Sequence, residues 1–416
     1  MAASSTPTAP TGEREDAAES SLSGSRALSA ASQRDQEGED AGQNRRQKKL
    51  TLLVLLGEEV PEDTPPTLAA PESVSKVVFP RFKQYIRKKY PDSVQVIAGA
   101  SVDKFLLPSH ASALQNAEAL FVLGVELRFV GNLLRHVGPQ LRWIHSFSAG
   151  VTSLTAALRE TPWPGCPSQT WANQQHILVT NGRTVFSRPL AEYVFAAVLH
   201  FYKQIPRFQR LQSSCAWVQF PLLQLRGKTM GFLGFGDVGR ECALLARAFD
   251  MKCTALRSSR PASRDDLIIV DRVWTQNCSD RLEFYRSADV IVCTLPATPE
   301  TENSVGAAEF AAMNKSSVFI SIGRGSVVDE SALLQAVQTQ RIAGAALDVF
   351  QEEPLPPDSP LWKEERILIS SHCCDWIEDH SAARTIDVFD ENLRRFLAGA
   401  RKNSDMFTPV DVHRGY

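Results

Sequence analysis

Residues 230–260 read MGFLGFGDVGRECALLARAFDMKCTALRSSR, and this stretch restricts the fold more than any other. An apolar run, Met230 to Leu233, leads into Gly234-Phe235-Gly236-Asp237-Val238-Gly239. A helix-compatible stretch follows (Glu241 to Phe249), then a second apolar run, Lys252 to Leu256. Strand, glycine loop, helix, strand is the setting in which G-x-G-x-x-G signals a dinucleotide site rather than a turn. Gly234 would allow the tight turn, Gly236 would let the backbone approach a pyrophosphate, and Gly239 would let the helix pack on the strand. The pyrophosphate would sit at the helix N-terminus, where free N–H groups and the dipole favour negative charge. A free ribose 2′-OH is usually held by Asp or Glu at the end of the second strand, about 20 residues on. Here that place holds Arg257, followed by Ser258, Ser259 and Arg260. A cation with hydroxyl donors suits a 2′-phosphate, so NADP(H) is the preferred cofactor and NAD(H) the other option.

The pattern extends on both sides. LTLLVLL begins at Leu50, and VQVIAG, ALFVLGV, RWIHSF and HILVTN follow, with a helix-like segment from Val77 to Tyr90. Leu190 to Tyr202 reads as a long helix leading away. After the fingerprint come ADVIVCTL, SVFISIG, AGAALDVF and RILISSH. Apolar strands alternating with helical segments predict α/β architecture with parallel sheets, here two domains in series. The last segment, Ala382 to Leu397, reads as an amphipathic helix whose domain the pattern does not assign.

In parallel α/β sheets, ligands bind outside the carboxyl ends of the strands. Arg324 follows SVFISIG between two glycines, Glu352 and Glu353 follow AGAALDVF, and His372 follows RILISS. A guanidinium grips a carboxylate bidentately. An imidazole exchanges a proton near neutral pH, and a carboxylate beside it keeps it protonated and fixes its tautomer. Behind a dinucleotide site, such a set suits reduction of a 2-oxo acid by hydride.

Composition removes other classes. The 416 residues are 43% hydrophobic and 22% charged with net charge −2, globular values with no basic footprint for nucleic acid. The apolar runs are too short to span a bilayer. Eight cysteines are scattered apart from Cys373-Cys374, without zinc-ligand spacing, so no metal is expected and a reducing, cytoplasmic setting is. For the vicinal pair, packing is preferred to a redox switch. Residues 1–48 lack aromatics and are rich in Ser, Ala, Glu, Gln and Gly, which predicts a disordered tail. Its acidic residues argue against a transit peptide, and the run Arg45, Arg46, Lys48, Lys49 reads as a solvated linker.

LRWIHSFSAGVTSL, LAEYVFAAVLHFYKQIPRF, GFGDVG, SADVIVCTLPATPETENSVG, FISIGRGSVVDESALLQAV, GAALDVFQEEPLPPDSPLW and ILISSH together resemble the D-isomer-specific 2-hydroxyacid dehydrogenases. EPLPPDSPLW, the terminal VDVHRGY and Arg257 are most similar to the glyoxylate/hydroxypyruvate reductase branch. The resemblance implies that Arg324 binds the substrate carboxylate and carbonyl oxygen, that His372 is the general acid, and that Glu353 is its partner, with Glu352 a bystander. Backbone N–H groups of Ala149 and Gly150 would be the second hold on the substrate. Asp237 and Val238 would meet the pyrophosphate, Thr294, Leu295, Ile322 and Gly323 would line the nucleotide, and Asp348 would meet the nicotinamide amide. It further implies a Rossmann-type cofactor domain (183–374) inserted into a flavodoxin-like substrate domain (49–182 and 375–416), a homodimer, and small 2-oxo or 2-hydroxy acids as substrates. Ser371 replaces a common Pro, Ser321 a common Asn, and Cys373, Cys374, Asp375 and Trp376 replace small residues. These departures keep a larger 2-oxo acid open as substrate. Relatives that act as dinucleotide-sensing corepressor scaffolds give a further alternative, favoured here only by the tail.

Overall fold

A computed structural model describes residues 49–57, 74–123, 129–258, 264–275 and 281–416. The tail expected to be disordered, and Ser259 and Arg260, lie outside the described residues.

The first sheet contains β1 (Leu50–Leu55), β2 (Val94–Gly99), β3 (Ala119–Val122) and β4 (Trp143–Ser146). After an antiparallel hairpin of β5 (Pro162–Trp163) and β6 (Cys166–Thr170), β7 (Leu178–Thr180) completes it. All its pairings are parallel and the order is β2-β1-β3-β4-β7. Renumbered within the sheet this is 2-1-3-4-5, the flavodoxin-like order.

The second sheet contains β8 (Thr229–Leu233), β9 (Lys252–Arg257), β10 (Arg272–Thr275), β11 (Val290–Cys293), β12 (Val318–Ser321), β13 (Gly344–Leu347) and β14 (Ile367–Ile369). Its order, β10-β9-β8-β11-β12-β13-β14, is the dinucleotide-binding 3-2-1-4-5-6 with one strand added. Every pairing is parallel. The central strands β11, β12 and β13 are near-continuous apolar runs because both faces are covered. Side chains alternate between the two faces. Phe232, Val292 and Ile320 enter a core with Ala191, Val194 and Val198 of the helix Ser187–Tyr202, whereas Leu233, Ile291 and Phe319 enter another with Phe284 and Phe310.

The helix Glu378–Leu397 returns to the first sheet. Phe389 and Phe396 join Phe82, Phe121 and Trp143 in its core, with ring centroids 4.8 Å apart for Phe82–Phe389 and 5.4 Å for Trp143–Phe396. Such aromatic pairs contribute roughly 0.5–1.5 kcal/mol each beyond burial. Asp390 on the same helix accepts from Lys89 Nζ and Tyr90 OH, both at 2.7 Å. The end of the chain is stitched down too: Thr408 Oγ1 donates to Asn181 O at 2.7 Å, and Val410 N to Val179 O at 2.9 Å. The pattern had left this segment unassigned, and these contacts place it.

Candidate active site

The dinucleotide crevice forms where the order of the second sheet reverses, between β8 and β11. Gly234 has φ +82°, and a Cβ there would lie 3.1 Å from both Thr294 Oγ1 and Leu295 Cδ2. Thr294 Oγ1 donates to Gly234 O at 3.0 Å, which joins the two strand ends. Gly239 packs its helix against Phe235, and the space beside Gly236 is open. The helix Asp237–Ala248 starts there without a side-chain cap, so its first N–H groups stay available for an anion. A pyrophosphate therefore fits the loop. Asp237 is paired with Arg183 at 3.1 Å and Arg240 at 3.5 Å, which offsets its own charge beside an anionic ligand. Val238 is partly buried at the helix start. Buried Ile322 and Gly323 continue the crevice, where a Cβ on Gly323 would fall 2.5 Å from Leu295 O.

Arg257 ends β9 and Ser258 is exposed beside it. Arg257 is not alone: its Nη1 lies 2.5 Å from Asp266 Oδ2, and Arg240 Nη2 lies 2.8 Å from Oδ1. Asp266 is buried. Arg257 and Arg240 thus share one buried carboxylate at the end of β9. The sequence reading missed Asp266, nine residues beyond Arg257; an acid there was visible, but its choice of partners belongs to the tertiary fold.

Arg324, Asp348 and His372 follow β12, β13 and β14, and they meet at one cavity of about 330 Å³ with the loop after β4. Burial lowers the pKa of Arg324, while Glu353 and Asp375 raise it. Its Nη1 donates to Gly323 O at 2.7 Å, which fixes the direction of the guanidinium. Gly150 lies directly against it: a Cβ at Gly150 would come 1.4 Å from Nη2. That loop is held by Asn181, whose Nδ2 donates to Ala149 O at 2.7 Å. The backbone of Ala149 and Gly150 and the guanidinium thus flank the same space.

His372 Nδ1 lies 2.7 Å from Glu353 Oε2, and Glu353 Oε1 accepts from Phe350 N at 2.9 Å. With Nδ1–H donating to the carboxylate, Nε2 is the free nitrogen. Glu352 is exposed and takes no part in this pairing. His372 has φ +50°, a left-handed conformation unusual for a side chain of this size. The surrounding loop sustains it through Asp348. The Asp348 backbone oxygen accepts from His372 N at 2.9 Å. Its carboxylate accepts from Ser370 Oγ at 2.6 Å, Cys373 N at 3.1 Å and Cys374 Sγ at 2.8 Å. Ser370 Oγ also meets Tyr193 OH at 2.7 Å. Burial and the Asp348 carboxylate push the Cys374 thiol up, so it serves as a donor, while Cys373 is exposed. Tyr193 and Ser370 stand in LAEYVFAAVLHFYKQIPRF and ILISSH, but nothing in either stretch marks them as partners. Among the described residues no group of three or more His, Cys, Asp or Glu could hold a metal ion.

This is the arrangement of a dehydrogenase: a dinucleotide crevice beside a cationic clamp and a carboxylate-paired histidine. Residues 195–374 match the family described as D-isomer specific 2-hydroxyacid dehydrogenase, NAD binding domain. The chain is 32% identical over 268 residues to the glyoxylate/hydroxypyruvate reductase B of Citrobacter koseri, covering 63% of this chain and 76% of that protein. It is 27% identical over 338 residues to a glyoxylate reductase of Aeropyrum pernix, covering 78% of this chain and 92% of the relative. In fold it is similar to the NADPH-dependent glyoxylate/hydroxypyruvate reductase of Sinorhizobium meliloti solved with NADP and sulfate, at TM-score 0.64 and 20% identity, covering 88% of this chain and 100% of that one. The chain belongs to the D-isomer-specific 2-hydroxyacid dehydrogenase family, whose members are NAD(P)-dependent enzymes, and within it to the glyoxylate/hydroxypyruvate reductase branch.

Proposed function

We propose that the protein is an NADPH-preferring reductase of small 2-oxo acids, glyoxylate and hydroxypyruvate first, yielding D-2-hydroxy acids. The carrying observation is the convergence of the Arg324 guanidinium, the Ala149–Gly150 backbone and the Glu353-paired His372 on one cavity beside the dinucleotide crevice. When bound, the reduced nicotinamide supplies hydride to the C2 carbonyl carbon. Arg324 binds the substrate carboxylate and polarises the carbonyl, and the 149–150 backbone gives the carboxylate its second hold. His372 Nε2 passes a proton to the carbonyl oxygen, and Glu353 stabilises the imidazolium that provides it. Hydrogen-bond donors aimed at a developing oxyanion each contribute about 3 kcal/mol to such a step. Apolar residues Val77, Phe147, Phe186 and Leu190 close the opposite wall and limit water near the transfer.

Preference for NADPH is supported by the Arg257 guanidinium at the end of β9, where an acid would hold a free ribose 2′-OH. Pairing of two copies is supported by a separate feature: Ile205, Phe208, Trp217, Val218, Leu222 and Leu223 are exposed along residues 205–223, Trp217 at 94%. An apolar surface of this kind is suited to burial against a second chain; sedimentation of wild type against Trp217→Glu tests it, and an unchanged mass would remove the assignment. The function itself is tested by initial rates with NADPH and NADH on glyoxylate, hydroxypyruvate, pyruvate and phenylpyruvate. Turnover of glyoxylate or hydroxypyruvate with NADPH is expected, and loss of it in Arg324→Ala. Wild-type-like rates in that variant, or cofactor binding without turnover, would overturn the reading.

A further inference from the structure

The substrate cavity contains an acid that the reduction does not use. Its ionisable lining residues are Arg324, Asp348, His372 and Asp375. Three of them are engaged. Arg324 is directed by Gly323, His372 is paired with Glu353, and the Asp348 carboxylate receives Ser370, Cys373 and Cys374. Asp375 is different: among the described residues no side chain pairs with or donates to its carboxylate, and Arg324 and His372 act on it only as nearby charges. It stands next to Trp376 and Ile377, is itself half-buried, and shares the lining with Val77, Val78 and Phe147. We infer that Asp375 is a specificity-determining residue that admits 2-oxo acids whose far end donates a hydrogen bond, and excludes those whose far end is a second carboxylate.

The inference rests on the reductase reading, because it takes Arg324 to bind the substrate's first carboxylate. With that end anchored, the substituent on C3 must lie elsewhere in the same small cavity, where Asp375 is the ionisable acceptor still open, beside the unpartnered Ser381 hydroxyl. A hydroxyl there regains the hydrogen bond it loses on leaving water. A carboxylate there would meet a like charge inside the same cavity, which disfavours its binding. The electrostatics of Asp375 agree with its position: burial pushes its pKa up, His372 pulls it down, Asp348 pushes it up, and Arg324 pulls it down. The acid is thus inside the same field as the two groups that handle the substrate. A role confined to holding the loop would change every substrate alike, so ratios between substrates isolate selection.

The experiment compares kcat/KM for glyoxylate, pyruvate, hydroxypyruvate and oxaloacetate in wild type, Asp375→Asn and Asp375→Ala. Both variants should raise the oxaloacetate-to-pyruvate ratio about tenfold or more, the effect of ~1.4 kcal/mol. Asp375→Ala should also lower the hydroxypyruvate-to-pyruvate ratio roughly fivefold, since it deletes the acceptor. If wild type reduces glyoxylate and both ratios stay within about twofold of wild type in both variants, Asp375 does not select. If wild type reduces none of the four, the reductase reading fails and the selection falls with it.

Discussion

Gly150 and Arg324 come from different sheets, yet a single methyl group on Gly150 would overlap the Arg324 guanidinium, at 1.4 Å from Nη2. The proposed substrate anchor would therefore be assembled across the cleft, with one side chain seated on bare backbone. Gly150→Ala should push the guanidinium aside while leaving the cores intact. A misplacement of about 1 Å costs on the order of 100-fold in rate. We expect kcat/KM for glyoxylate to fall by at least that much with little change in melting temperature. Near-normal kcat/KM would show that the guanidinium is not the anchor.

The His372–Glu353 pair sets an order among variants. Under the proposed mechanism His372→Ala removes the proton donor, and general acid catalysis contributes roughly 10²–10⁴-fold. Glu353→Ala leaves Nδ1 and Phe350 N without their shared acceptor, so its kcat should fall nearly as far. Glu353→Gln keeps an acceptor but loses the charge and should fall between that variant and wild type. A Gln variant slower than His372→Ala would contradict the assigned roles.

Arg257 acts next to Asp266, so its effect should be graded rather than absolute. Arg257→Ala should weaken NADPH binding about tenfold and NADH binding far less. Direct titration of cofactor binding by fluorescence reads this without turnover. Equal losses for both cofactors would deny a role in recognising the 2′-phosphate.

His145 is buried between Trp143, Phe121 and Phe389, and burial lowers its pKa from the ordinary 6.5 to about 3. Below pH 6.5 the unfolded chain takes up a proton that the folded chain refuses. The stability from a neutral His145 is therefore complete above about pH 6.5 and declines as pH falls toward 3. Urea midpoints measured across this range should fall for wild type and fall less steeply for His145→Gln. Parallel pH profiles would remove His145 as a source.

The parts of the fold that repeat along the chain were readable in advance. VQVIAG is the edge strand β2 residue for residue despite its exposed Gln95, and ADVIVCTL, SVFISIG and RILISSH each contain a strand, because strands covered on both faces read as apolar runs. Arg324, Glu353 and His372 were readable because they follow such strands. β10, with Arg272 and Thr275 at its ends, carries too little apolar signal and was not anticipated. Strand order was not readable from the pattern either, since a crossover connection does not state which neighbour it reaches. Asp266, Tyr193 and Ser370 owe their parts to contacts made only after packing, so even where the local stretch matches a family, as for Tyr193 and Ser370, it does not show the partner.

Phe389 and Phe396 fill the core of a sheet whose first strand starts at Leu50. Chain synthesis runs from the N-terminus, and domains generally fold as units as they emerge. The strands from Thr229 to Ile369 can pair as soon as they leave the ribosome, but the older sheet waits for its aromatic plug. The half made first is thus completed last, and until then the face that Phe389 will cover is bare. A chain stopped before Glu378 should bind the hydrophobic dye ANS while the intact protein does not, and equal dye binding by both would refute this order of assembly.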